Sequence, residues 1–190
     1  MSVLLCSEIL IAIYRFLPLL QNRLYMAKLY INKDIVADKD KMENWYLTGE
    51  EGLSFPDIQN FLSWIDPNDH VIDIEIHSCG GDAVEGYAIY DALRASGKQI
   101  SCTAVGRCAS MATVILLAAA KERRFAYPHA KFIIHKPYMA SYDGDLDLET
   151  LESIKSNLES EKNKMLALYV ERTGSEASVI EAQMNKAGWF

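Results

Sequence analysis

The sequence has no C-x-x-C pair, and none of its His and Cys residues has the spacing of a zinc site. Its four cysteines, Cys6, Cys79, Cys102 and Cys108, are therefore expected as free thiols in a reducing compartment. It has no excess of positive charge: the net charge over 190 residues is −7. Non-specific nucleic-acid binding, which needs basic surface to displace counterions, is excluded as the main activity. There is no G-x-x-x-x-G-K-[ST] phosphate loop, so any ATP dependence has to come from a separate chain. Internal repeats and low-complexity segments are missing too.

No uncharged apolar run is long enough to span a bilayer. The N-terminal stretch "LLCSEILIAIYRFLPLL" comes nearest, but Glu8, Arg15 and Pro18 interrupt it. It also lacks the basic n-region and small-residue cleavage site of a signal peptide. Residues 1–25 read as an amphipathic extension or as translation from a start upstream of the true one. Met26 opens "MAKLYINKDIV", which reads like the first strand of a domain covering 26–190. The expectation is a cytoplasmic protein without a membrane partner.

The residues that are present alternate between two periods. "KLYINKDIV" and "HVIDIEIHS" alternate apolar and polar positions and predict strands. "SFPDIQNFLSWI" places Phe55, Ile58, Phe61, Leu62 and Ile65 on one helical face, with Ser54 as N-cap and Pro56 in the first turn. "DKDKMENWYLTGEEG" reads as a polar connection. "AVEGYAIYDALRASG" predicts a helix stopped at Gly97, and "KQISCTAVG" a strand. "RRFAYPHAKFIIHKP" predicts two short strands around Pro128. A long amphipathic helix over 146–172 and a last helix over 175–187 complete the chain. Strands alternating with helices predict an α/β fold with a parallel-rich sheet flanked by helices, the long helix projecting from the body.

Three segments carry candidate chemistry. In "VGRCASMATVILLAAA", Ser110 follows a strand and a Gly-containing turn at the start of an apolar helix. A serine there can attack a carbonyl while neighbouring amides hold the developing oxyanion. It can equally be a plain N-cap. In "SCGGDAVEGYAIYDAL", Gly80 and Gly81 let backbone amides approach a ligand without Cβ interference, or simply make a tight turn. In "KFIIHKP", His135 ends an apolar strand, where sites in α/β sheets collect and where structural histidines also occur.

Together, "SCGGDAVEGYAIYDAL", "VGRCASMATVILLAAA", "RFAYPHAKFIIHKP" and "LALYVERTG" resemble the proteolytic subunit of the Clp protease family, especially its phage- and plasmid-type relatives. The resemblance runs from about Lys28 to the C-terminus and implies a Clp protease/crotonase-like fold. It implies Ser110 as nucleophile, His135 as general base, and the Gly81 and Met111 amides as oxyanion hole, with no cofactor and no metal. It also implies a peptide or unfolded-protein substrate, self-association into stacked rings, and a separate ATP-dependent unfoldase as partner.

The chain departs from the family pattern in three places. The family's triad acid lies two residues before an aromatic, and in "MNKAGWF" that slot is Ala187. A Ser-His dyad, a stand-in carboxylate such as Asp143 or Asp145, or an inactive ring subunit would each accommodate this. Cys79 replaces the family's turn proline, and the chain stops at Phe190, where relatives continue. Cys108 is a rival nucleophile two residues before Ser110. A related acyl-CoA enzyme of the crotonase type would use a similar oxyanion hole, but "GRCASMAT" lacks the glutamate it usually needs.

Overall fold

A computed structural model describes residues 26–139, 142 and 144–186. The expected N-terminal extension, Asp143 and Ala187 lie outside the described residues.

Among the described residues, five strands form one sheet: β1 (Met26–Ile31), β2 (Val71–Ser78), β3 (Gln99–Ala109), β4 (Arg124–Ala126) and β5 (Lys131–Ile133). Every strand pair is parallel, in the order β1-β2-β3-β4, with β5 also on β3. β4 and β5 share one edge of β3. β4 pairs with Cys102–Ala104 and β5 with Arg107–Ala109. The segment around Gly106, expected as a turn, is therefore strand, because β5 supplies a partner that carries β3 on to Ala109.

The alternation in β2 has a direct consequence. Ile72, Ile74 and Ile76 are fully buried, in one core cluster with Ile89 and Leu93. Asp73 and Glu75 face the other way, where Lys28 of β1 pairs with Glu75 at 2.7 Å and Asp73 at 3.6 Å. Ile76 and Ser78 pair with Ala104 and Cys108, so β3 bulges opposite His77. Gly106 sits in that bulge, where a Cβ would fall 2.1 Å from His77 Nδ1.

Six helices are described: α1 (Lys41–Thr48), α2 (Phe55–Trp64), α3 (Ala83–Ala95), α4 (Met111–Leu116), α5 (Leu148–Thr173) and α6 (Ala177–Lys186). Helix α1 corrects the expected polar connection. It buries no residue, so no core-facing periodicity marks it, and Gly49 stops it in the left-handed conformation at φ 79°. At the start of α2 the Ser54 amide donates to Asp57 Oδ2 at 2.8 Å, and Lys41 of α1 donates to the same carboxylate at 2.7 Å. Asp82 caps α3 by accepting from the Glu85 amide at 2.9 Å.

Helix α5 is 26 residues long, yet its buried residues are only Met165 and Tyr169. Its first half leaves Leu148 87% and Leu151 48% exposed. No described helix is long and apolar enough to cross a membrane.

Candidate active site

The carboxyl ends of β2, β3 and β5 lie side by side, and the chain turns sharply at two of them. In open parallel sheets that edge is where ligands bind.

After β2, Ser78 turns its buried hydroxyl back to accept from the Gly80 amide at 3.0 Å. Gly80 has φ 86° and Gly81 φ 145°, conformations that a Cβ penalises. Ile35 locks the turn from the far side. Its amide donates to Gly80 O and its carbonyl accepts from Asp82 N, both at 2.8 Å. A Cβ on Gly81 would meet Ile35 O at 2.0 Å, so only glycine fits. The pattern skips the Gly81 N–H, which donates to no described residue.

After β3, Ser110 adopts φ 52° and ψ −128°, the one positive φ among described non-glycine residues. Such a backbone costs about 1–3 kcal/mol and persists only where the surroundings enforce it. Here three bonds do so. The Ser110 amide donates to Ile133 O of β5 at 2.9 Å, and Ser110 O accepts from Thr113 N at 2.9 Å and Thr113 Oγ1 at 2.6 Å. The result is a sharp strand-to-helix elbow at Ser110, a backbone shape also used to expose the nucleophile in α/β-hydrolases. Ser110 does not act as a side-chain N-cap, which sets aside the plainer reading of this residue. Met111 opens α4, and its amide has no acceptor among the described residues.

The two turns touch. A Cβ on Gly80 would lie 2.7 Å from Met111 N and 2.8 Å from Ser110 Cβ. The Met111 amide thus lies beside Gly80, at the turn that also carries Gly81. Helix α4 is only six residues long, so a long helix dipole does not act at this turn.

His135 lies two residues beyond Ile133, the residue that accepts from the Ser110 amide. Its Nδ1 is 2.6 Å from the Lys136 carbonyl, and its ring lies 5.5 Å from that of Tyr138. A carbonyl only accepts, so in the neutral imidazole Nδ1 carries the proton and Nε2 is left with its lone pair. Among the described residues no hydrogen bond joins Ser110 to His135, and none joins Asp145 to His135. In unliganded sites such contacts are often long and tighten with substrate.

The rival nucleophile does not fit. Cys108 is fully buried, and burial pushes its thiol up to about 12, so at neutral pH it is neither accessible nor a thiolate. Cys79, beside Gly80, is exposed, while Cys102 is buried; all three are free. No group of three or more described His, Cys, Asp or Glu residues could hold a metal ion.

Sequence reasoning missed what braces the elbow: Ile35 behind Gly81, and Thr113 beneath Ser110. Thr113 lies in the quoted serine motif, but its fixed spacing from Ser110 carries meaning only once the elbow is seen.

Two comparisons bear on this arrangement. A family model described as Clp protease matches residues 57–190. The chain is 32% identical over 134 residues to the ATP-dependent Clp protease proteolytic subunit 1 of Chlamydia muridarum, an alignment that covers 68% of this chain and 67% of that one. It is 31% identical over 137 residues to the ATP-dependent Clp protease proteolytic subunit of Porphyromonas gingivalis, covering 70% and 60% respectively.

Proposed function

The chain belongs to the Clp protease family, and on that premise we propose that it is a serine endopeptidase subunit. The observation that carries the reading is the backbone of Ser110, held at φ 52° against the Gly80–Gly81 turn. A mere helix start would not store strain at that residue.

In this reading a peptide carbonyl enters between the Gly80–Gly81 turn and Ser110. His135 Nε2 takes the Ser110 proton as Oγ attacks, and the Gly81 and Met111 amides stabilise the oxyanion. His135 then gives the proton to the leaving amine, and water repeats the sequence on the acyl-enzyme.

The family's acid slot is Ala187. The Lys136 carbonyl supports half of the missing acid's role, because it holds the proton on Nδ1. It cannot match a carboxylate in stabilising the imidazolium, since it carries a dipole and no charge. Losing the acid in a serine protease costs about 10⁴ in kcat, and the oxyanion hole and binding alone leave about 10³–10⁴ over water. Turnover that is weak for the family follows.

The substrates in this reading are peptides and unfolded proteins. The subunits assemble into stacked rings through the exposed apolar positions of α5, and a separate ATP-dependent unfoldase feeds them. A second reading, a ring subunit without activity, is favoured by the Ser110–His135 pair standing without a hydrogen bond. Hydrolysis of a short fluorogenic peptide separates the two. Turnover that disappears in both Ser110→Ala and His135→Ala supports the peptidase. Turnover absent from the parent and from Ala187→Asp supports the inactive subunit.

A further inference from the structure

We propose that Tyr169 and Thr113 are positioning residues for Ser110, forming a buried hydrogen-bond chain from the long helix to the carbonyl of the elbow. The inference rests on reading Ser110 as the nucleophile, but its geometry stands apart from that reading.

The direction of the chain follows from proton bookkeeping. Thr113 Oγ1 is 2.6 Å from Ser110 O, which can only accept, so the threonine's single proton goes there. Tyr169 OH lies 2.5 Å from the same Thr113 oxygen. Thr113 has no second proton to give, so Tyr169 is the donor. The order is Tyr169 O–H to Thr113 Oγ1, then Thr113 O–H to Ser110 O.

Both residues are only 4% exposed, so water does not compete for either bond. In a site of low dielectric such linked bonds strengthen one another. Burial raises the Tyr169 phenol far above its ordinary value, which keeps the donor proton in place at every physiological pH. Tyr169 is itself held by burial, as one of the two buried residues of α5. Three residues on, Arg172 donates from Nε to Leu117 O at 3.0 Å and from Nη2 to Ala119 O at 2.9 Å. Helix α5 therefore grips α4 at both ends, through Thr113 near its start and beyond its end through the carbonyls of Leu117 and Ala119.

The chain matters because the elbow is strained. A turn that relaxed toward ordinary φ would move both the Ser110 hydroxyl and the Met111 amide. The double acceptance at Ser110 O, from Thr113 N and from Thr113 Oγ1, opposes that relaxation.

The test compares the parent with Tyr169→Phe, Thr113→Val and Thr113→Ser in the full chain. Two quantities are read: kcat and KM on a fluorogenic peptide, and amide hydrogen exchange over residues 109–116. Tyr169→Phe should lower kcat about tenfold, the change one lost buried hydrogen bond corresponds to, with KM within about twofold. Exchange over 109–116 should quicken by a similar factor. Thr113→Ser, which keeps the hydroxyl, should restore both quantities to within about twofold of the parent. Adding Tyr169→Phe to Thr113→Val should change little more than Thr113→Val alone. Unchanged exchange in both Tyr169→Phe and Thr113→Val overturns the proposal. If neither the parent nor Ala187→Asp shows turnover, exchange decides alone: quickening in Tyr169→Phe upholds the brace while the nucleophile reading falls. Thr113→Ser, the mildest of the three, serves as the folded reference should Thr113→Val fail to fold.

Discussion

The main-chain N–H of Ser110 donates to the carbonyl of Ile133 at 2.9 Å. This one bond ties the end of β3 to the end of β5, and so sets the distance between the serine elbow and the segment that carries His135. It also holds the elbow in a conformation that serine does not choose unaided. In the proposed mechanism, energetics and chemistry therefore meet at one residue, and substitutions there separate them.

Ser110→Gly should unfold at higher denaturant than Ser110→Ala, by about 1 kcal/mol, because glycine accepts φ 52° without a Cβ penalty. In an ordinary helix interior the order would be reversed. Urea unfolding of the two variants checks this. Equal stability would mean that the elbow is not strained in solution.

Gly81→Ala should be costly for a different reason. The added Cβ would meet the Ile35 carbonyl at 2.0 Å, a backbone atom that cannot swing aside. A loss of about 3 kcal/mol or more is expected, together with loss of peptide hydrolysis. Gly97→Ala is the control, since its Cβ meets nothing within 4 Å although its φ is 70°. It should cost about 1 kcal/mol and leave hydrolysis intact.

Much of this architecture is legible in the residues. The Ile72–Ile74–Ile76 alternation announces β2, and the apolar spacing of "SFPDIQNFLSWI" announces α2. The long helix over 146–172 is found at Leu148–Thr173. Helix α1 was illegible because Met42, Trp45, Tyr46 and Leu47 are all exposed, so no core side marks them. The full length of β3 was illegible because β5, which extends it, begins 22 residues after Ala109. The motif singled out Ser110, but its φ depends on Ile133 and Thr113. Tyr169 lies 56 positions from Thr113, a pairing that no local pattern encodes.

The thiols give a pH prediction. Burial pushes Cys102 and Cys108 each up to about 12 from an ordinary value of 9.0. The unfolded chain loses these protons first, so their contribution to stability is complete below pH 9.0 and declines as pH rises toward about 12. In the native protein, iodoacetamide should modify exposed Cys79 and spare Cys102 and Cys108 from about pH 7 to about pH 9. Peptide mapping by mass spectrometry reads this. Rapid native modification of Cys108 would mean that its site opens.

The proposed assembly through α5 predicts a change in sedimentation. Leu151 is 48% exposed and Leu148 87%. Leu148→Glu together with Leu151→Glu should shift the protein to smaller species, with unfolding free energy altered by no more than about 1 kcal/mol, because neither side chain is in the core. Unchanged sedimentation would remove α5 as the assembly surface.

An orientation experiment addresses the missing acid. Ala187→Asp should raise peptide turnover, and Asp145→Asn should leave it unchanged, since no hydrogen bond joins Asp145 to His135 among the described residues. A drop in Asp145→Asn would identify that carboxylate as the stand-in acid.

The central claim is that Ser110 is an activated nucleophile, and a fluorophosphonate tests it directly because only such a serine reacts. Labelling of the parent, followed by peptide mapping, should place a single adduct on Ser110. The adduct should vanish in Ser110→Ala and form more slowly in His135→Ala. An adduct on another residue, or none in either the parent or Ala187→Asp, would contradict the account.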